Sequence, residues 1–130
     1  MLLRDRHVTL VVAGDWNILR GYGEHKSKLW AKRYAMVFDR AELLGLKFIG
    51  PTADDGTRQA DPWPDELPTD STCVPTFHHS GQTPATATRQ LDFVFATPAI
   101  ADRVSVSALN GVDVWGASDH RQVQITLNPA

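Results

Sequence analysis

Three short polar segments carry the side chains that could do chemistry. They are Gly14-Asp15-Trp16-Asn17, Leu91-Asp92-Phe93 and Ser118-Asp119-His120-Arg121. Carboxylates, a carboxamide and an imidazole supply hydrogen-bond acceptors, donors and a group that titrates near neutral pH. Such a set can hold a metal-bound water and a phosphate oxygen. Each segment alone also fits an ordinary turn, because Gly, Asp, Asn and Ser are turn-forming residues.

The first segment follows an apolar run, Val8-Thr9-Leu10-Val11-Val12-Ala13. A run of this kind predicts a strand that is buried on both faces. Gly14 permits a tight exit from that strand. If the backbone stays extended beyond Gly14, the side chains of Asp15 and Asn17 point to the same side. Asp15 and Asn17 are therefore the first two candidate site residues.

Asp92 interrupts the second strongly apolar run, residues 91–96. A buried carboxylate is costly unless it is paired or hydrogen-bonded. His120 is the obvious partner, because a carboxylate that accepts from one imidazole nitrogen fixes the tautomer and raises the basicity of the other nitrogen. The alternative is an Asp92 held by backbone amides in a turn. Adjacent strand residues point to opposite faces, so Asp119 could serve a metal while His120 serves a phosphate.

The elements that must position these side chains follow from the spacing of apolar residues. Ser27 is a helix N-cap, and apolar residues at intervals of three and four predict an amphipathic helix that ends at Gly45. The last strand alternates between apolar and polar residues, which predicts a half-exposed strand. Further strands are predicted over 46–50, 74–78, 104–109 and 121–127, and a short helical turn over 98–101.

Composition limits the class of protein. The chain has 130 residues, 42% of them hydrophobic and 22% charged, which predicts one globular domain with a core. The formal net charge of −2 gives no global basic field that would draw the chain onto nucleic acid. The single cysteine, Cys73, excludes an internal disulfide and fits a reducing compartment. Since there is neither an apolar run of transmembrane length nor a signal-peptide pattern, we expect a cytoplasmic protein without a membrane partner.

Taken in order, the motifs Gly-Asp-x-Asn, Leu-Asp and Ser-Asp-His-Arg resemble the second half of the endonuclease/exonuclease/phosphatase superfamily, which includes pancreatic-type deoxyribonuclease and exonuclease III-like apurinic endonucleases. The resemblance extends from about Val8 to Leu127. It implies an α/β (α+β) fold, half of a four-layer α/β sandwich. That half has one mixed, mostly antiparallel β-sheet with a long helix packed on one face. Residues 1–130 are then a single truncated domain.

The resemblance also implies a divalent-metal-dependent hydrolase of phosphodiesters or phosphate esters, of the nuclease or phosphatase type. By motif, Asp15 would position or activate the attacking water and Asn17 would hold the scissile phosphate. His120 would contact the phosphate as an acid/base or charge stabiliser, and Asp92 would orient it. Asp119 and Asp15 would hold Mg²⁺ or Mn²⁺, because in-line attack on a phosphodiester needs a cation on the developing charge. The family serves DNA, RNA, phospholipid and inositol phosphate substrates, so the substrate class stays open.

The chain departs from the family pattern in two ways. Family members are roughly twice this length, and their first half supplies a glutamate metal ligand that has no counterpart here. An arginine often stands two residues before the second-motif aspartate, where this chain has Gln90. A half-sandwich also leaves an apolar sheet face uncovered, which is rare on soluble monomers. We therefore expect a homodimer or a complementing N-terminal half. The alternative function is a catalytically vestigial half-domain that acts as a binding or assembly module.

Overall fold

A computed structural model describes residues 7–53, 65, 67–109 and 115–130. The described residues form a small α+β domain with two antiparallel sheets and one long helix, and they do not form a four-layer sandwich. None of the described helices is long and apolar enough to cross a membrane. The elements in chain order are β1 (Val11–Asp15), α1 (Lys28–Leu43), β2 (Lys47–Gly50), β3 (Asp92–Ala96), α2 (Pro98–Ala101), β4 (Val104–Ala108) and β5 (Val123–Leu127).

The strands lie in two sheets. The first has the order β1-β3-β2 and the second pairs β4 with β5, and every pairing is antiparallel. The prediction of one mixed sheet is therefore wrong. The pairing of β2 with β3 shifts register between Phe48 and Gly50, and β4 pairs with β5 rather than with β2. Instead β4 contacts the first sheet through side chains, with Val106 and Ile49 packed against a cluster that includes Ala96.

Helix α1 begins and ends where the local sequence signals predict. The Ser27 hydroxyl accepts a hydrogen bond from the backbone N–H of Trp30, at 3.2 Å. At the other end Gly45 has φ 93°, a left-handed conformation that glycine adopts without strain. The backbone N–H of Leu46 donates to the Ala41 carbonyl, which completes a Schellman termination. These contacts confirm the predicted helix.

An aromatic core fixes the first sheet beneath α1. Phe93 and Phe95 of β3 are both fully buried. The ring of Phe38 in α1 meets Phe93 edge-on with centroids 5.1 Å apart, and Phe48 of β2 meets Phe95 at 5.6 Å. Trp16 approaches Phe95 from the end of β1, at 4.9 Å. Because side chains alternate along β3, this packing holds the strand that carries Asp92 on its other face.

The other face of the first sheet is only partly covered. β1 lies at the sheet edge, and Val11 is exposed, although the apolar run predicted burial on both faces. Ile125 and Leu127 of β5 are also open, with 41% and 55% of their surface exposed. A shallow pocket of about 230 Å³ separates Ala13 and Val94 from the β5 residues Val123 and Ile125. A continuous apolar run predicts that a strand is buried, but it does not identify the element that covers each face.

Candidate active site

The pairing of β1 with β3 places two carboxylates opposite each other. Asp15 and Asp92 are register partners. The backbone N–H of Trp16 donates to the Leu91 carbonyl at 2.9 Å, so that neighbouring pair is hydrogen-bonded. Asp15 and Asp92 therefore form a non-hydrogen-bonded pair, in which side chains approach most closely. Like charges directly opposite are unfavourable unless a cation lies between them.

His120 lies between these two carboxylates. Its Nδ1 is 2.8 Å from Asp92 Oδ2, and its Nε2 is 3.5 Å from Asp15 Oδ2. An ionised carboxylate only accepts hydrogen bonds, so Nδ1 carries the proton that is donated to Asp92. The side chains of His120, Asp92 and Asp15 are 27%, 15% and 35% exposed. The structure thus brings three of the five predicted site residues into direct contact around a partly solvated imidazole.

The surrounding charges favour the protonated form of His120. Burial by itself would lower the pKa of the imidazole, and this is the largest single influence. The hydrogen bond to Asp92 and the negative charges of Asp92, Asp15 and Asp119 together outweigh burial, so the pKa of His120 is raised above its ordinary value. His120 is consequently more cationic near neutral pH than a free histidine.

Thr76 ties the Asp92 strand to the His120 segment. Its buried hydroxyl accepts from the backbone N–H groups of Leu91 and Asp92, at 3.1 and 3.2 Å. Its carbonyl accepts from the backbone N–H of Arg121 at 2.7 Å. The predicted strand over 74–78 is absent, and only isolated bridges join Phe77 to its neighbours. Sequence reasoning missed Thr76, whose only signal is a hydroxyl residue in an otherwise apolar segment.

Gln90 is a second support that sequence reasoning did not identify. Its fully buried carboxamide accepts from the Val74 backbone N–H at 2.7 Å and donates to the carbonyls of Pro51 and Asp92 at 2.8 and 3.3 Å. All three partners are backbone groups beside the site. An arginine there would bury a charge without a counter-charge.

Asn17 contacts Asp15 through its backbone. The Asn17 N–H donates to Asp15 Oδ1 at 2.9 Å, which forms an Asx turn and orients the Asp15 carboxylate. The backbone at Asn17 has φ 51°, and β1 already ends at Asp15. The extended geometry that predicted a shared direction for the two side chains is therefore wrong at this point. The role of the Asn17 carboxamide stays a prediction.

Asp119 lies at the exposed border of the site. Its carbonyl accepts from the His78 backbone N–H at 3.0 Å, and its carboxylate acts on His120 through charge rather than contact. The described part of the chain contains no group of three or more His, Cys, Asp or Glu side chains that could enclose a metal. Mg²⁺ commonly keeps several waters and takes one or two carboxylates. The metal-binding roles of Asp15 and Asp119 stay a prediction.

The finished arrangement is an imidazole of raised pKa that one carboxylate orients and a second carboxylate flanks. The ring of Phe77 lies beside the imidazole, with centroids 5.2 Å apart, and forms an apolar wall on that side. Such a group can bind an anion, stabilise developing negative charge and donate a proton. Comparisons of the chain with protein-family models, curated proteins and solved structures found no match.

Proposed function

We propose that this chain hydrolyses phosphate esters, with His120 as the group that contacts the phosphate. The observation that carries the proposal is the position of the imidazole between Asp92 and Asp15. An imidazolium held in this way is suited to an oxyanion whose charge grows in the transition state. The order of the three polar motifs, which resembles the endonuclease/exonuclease/phosphatase superfamily, supports the same reaction class.

In the proposed reaction, a water forms the new bond to phosphorus while the ester P–O bond breaks. Asp15 orients that water and takes its proton, and His120 gives the Nε2 proton to the leaving oxygen. Asp92 keeps Nδ1 protonated and the ring in place. Asn17 holds a phosphate oxygen. Asp15 and Asp119 would hold a hydrated Mg²⁺ or Mn²⁺, which supplies positive charge at the phosphate.

We also infer that the domain is one half of a larger sandwich. The exposed apolar side chains of Val11, Ile125 and Leu127 support this inference, because a complete sandwich would bury them. A second copy of the chain or a complementing N-terminal half would cover the face. Either arrangement could also bring further ligands or phosphate contacts to the site, including contacts to a nucleic-acid substrate.

A catalytically vestigial binding or assembly module is the second candidate. Two observations favour it over an active hydrolase. The same apolar face is open for docking, and the described residues contain no group of three or more His, Cys, Asp or Glu side chains that could hold a metal. In that case the Asp92–His120 pair would serve only to hold β3 against the His120 segment.

Hydrolysis of bis(p-nitrophenyl) phosphate, measured with and without millimolar Mg²⁺, separates the two candidates. The hydrolase proposal predicts Mg²⁺-dependent turnover that falls by about a hundredfold to ten-thousandfold in His120→Ala. His79→Ala is the matched control, because that exposed imidazole accepts a hydrogen bond from the Gly81 N–H within its own turn. Turnover that survives His120→Ala rejects the site. A folded protein without turnover, with or without added metal, favours the binding module.

A further inference from the structure

Helix α1 presents an apolar face toward solvent as well as the one that it buries. Five large apolar side chains of the helix and its C-cap are between 42% and 64% exposed: Leu29, Trp30, Met36, Leu43 and Leu44. At about 100° per residue, these positions fall within an arc of about 140° around the helix axis, which we call the outer face. Phe38 and Ala41, which contact the core, lie outside that arc. Exposed apolar side chains that are clustered in this way mark an interaction surface.

The charged residues within the outer face are both arginines. Arg33 and Arg40 are exposed and lie in the middle of the arc. The residues three and four positions away from each of them are all Leu, Trp, Met or Val, so no carboxylate of the helix is a neighbour. Neither guanidinium has a carboxylate partner elsewhere in the part of the chain that the structure describes. The outer face therefore combines apolar surface with positive charge.

Trp30 is held in place at one end of the outer face. Its ring stacks on Tyr34 with centroids 5.8 Å apart, and the Arg33 guanidinium lies 5.1 Å from the centroid of the Trp30 ring. The Tyr34 hydroxyl in turn donates to the Glu24 carboxylate at 2.7 Å. A side chain that is ordered before binding loses little conformational entropy when a partner packs on it. Trp and Arg are also enriched among the residues that contribute most to protein–protein affinity.

The position of the two arginines discriminates among three candidate occupants. A second copy on the same face would bring arginines of the two chains together, because a two-fold interface uses the same patch on both. A lipid surface would receive the arginines within its acyl region, whereas interfacial helices keep basic residues on the polar face. A protein helix that carries both apolar and acidic side chains matches the apolar surface and the positive charge.

We propose that the outer face docks an acidic amphipathic helix of a partner protein. The apolar side chains of that helix pack on Leu29, Met36 and Leu43, and its carboxylates accept hydrogen bonds from Arg33 and Arg40. No residue of the outer face belongs to the candidate active site. Docking is therefore independent of phosphate ester hydrolysis.

Two fluorescein-labelled helical peptides of equal length test the proposal by fluorescence anisotropy with the full chain. Both carry leucine at intervals of three and four residues, and they carry either glutamate or lysine at the flanking positions. We expect the glutamate peptide to bind with a dissociation constant of about 10–100 μM and the lysine peptide at least about tenfold more weakly. Absence of binding of the glutamate peptide, or equal binding of the lysine peptide, overturns the proposal. Cosedimentation with phosphatidylserine vesicles without peptide binding assigns the face to lipid instead.

Charge-reversal variants locate the binding surface. Arg33→Glu/Arg40→Glu should weaken the glutamate peptide at least about tenfold and strengthen the lysine peptide. Lys28→Glu/Lys47→Glu reverses the same number of exposed charges outside the outer face, and it should change either affinity by less than about twofold. Equal losses in the two double variants would show that only the net charge matters and would contradict docking at this face.

A third double variant tests the apolar contribution. Met36→Ala/Leu43→Ala should weaken the glutamate peptide about tenfold. The urea midpoint should stay unchanged, because both side chains are exposed. Unchanged affinity in this variant would falsify the proposal. Self-association of the wild-type chain that Met36→Ala/Leu43→Ala abolishes would assign the face to a second copy instead.

Discussion

The five-residue strand β3 has an aromatic face and a charged face. On the face toward α1, Phe93 and Phe95 are enclosed by the rings of Phe38, Phe48 and Trp16. On the other face, Asp92 is held by a hydrogen bond to His120 at the strand end. Aromatic packing needs no solvent and defines one arrangement. A charged pair needs partial solvation and a counter-charge, and it therefore lies where β1 and β3 end.

This difference indicates that one face provides stability and the other carries the candidate site. Packing on the aromatic face holds the strand in position. The charged groups on the polar face therefore stay in place although they add little to the free energy of folding. Partly exposed ion pairs contribute little free energy of folding. Substitutions on the two faces should therefore affect different measurements: the free energy of unfolding for the aromatic face, and the pKa of His120 and hydrolysis for the polar face.

The largest expected effect is on stability, from Phe95→Ala. Removing a fully buried ring that contacts several other aromatic residues should lower the free energy of unfolding by about 3–5 kcal/mol, measured by urea denaturation. Val11→Ala on the other face is the control, and its exposed position predicts a loss under about 1 kcal/mol. Equal losses for the two variants would show that the open face is covered in solution.

Asp92→Asn should have the next largest effect, on chemistry rather than folding. Loss of the negative charge removes the main influence that raises the pKa of His120, so the pKa should fall. Under the proposed function, hydrolysis should then fall about a hundredfold. NMR titration of the imidazole C–H resonances measures the pKa. Asp102→Asn removes an exposed carboxylate that pairs with Lys47, and it should leave both quantities unchanged. An unchanged His120 pKa in Asp92→Asn contradicts the assigned cause.

Local signals in the sequence predict α1 and part of the site. Ser27 and Gly45 define the helix ends because capping depends on residues only a few positions apart. The pairing of Asp92 with His120 was predictable because a carboxylate within an apolar run needs a partner, and few side chains qualify. The division into two sheets was not predictable. It depends on which strands pair with each other, which apolar periodicity does not record.

Two fully buried threonines allow a matched comparison of the two ends of β3. The Thr76 hydroxyl accepts from Leu91 and Asp92 at the site end, and the Thr97 hydroxyl accepts from Leu10 at the far end. Replacing either by valine keeps the shape but leaves partly buried N–H groups without this acceptor, and Thr97→Val also removes the donor to the Val8 carbonyl. Each variant should lose about 1–3 kcal/mol in urea denaturation. Only Thr76→Val should also shift the His120 pKa, and a shift of equal size in Thr97→Val would contradict this local role.

The roles of Thr76 and Gln90 could not be predicted from the sequence for a different reason. Both act through hydrogen bonds to backbone groups that are distant along the chain, such as Pro51 for Gln90 and Arg121 for Thr76. Because residues share the same backbone groups, residue types do not reveal which backbone group a side chain contacts. The role of such buried polar residues is visible only in the structure, where each backbone donor and acceptor can be matched with its partner.

The smallest expected effect is a dependence of stability on pH. The pKa of His120 in the folded chain lies above its ordinary value of 6.5, so folding favours the protonated imidazole. The resulting stabilisation is fully present below the unfolded-state pKa and is lost as pH rises through the folded-state pKa.

Urea denaturation of wild type and His120→Gln, at about pH 5 and about pH 9, measures this contribution as a difference of differences. Wild type should lose more stability than His120→Gln between the two conditions. Asp92→Asn should show a smaller pH-dependent loss than wild type, because the hydrogen bond from Nδ1 to a charged acceptor is gone. Wild type gaining stability relative to His120→Gln as pH rises would mean that the folded chain prefers a neutral imidazole. The polar face of β3 would then be held by burial, as the aromatic face is.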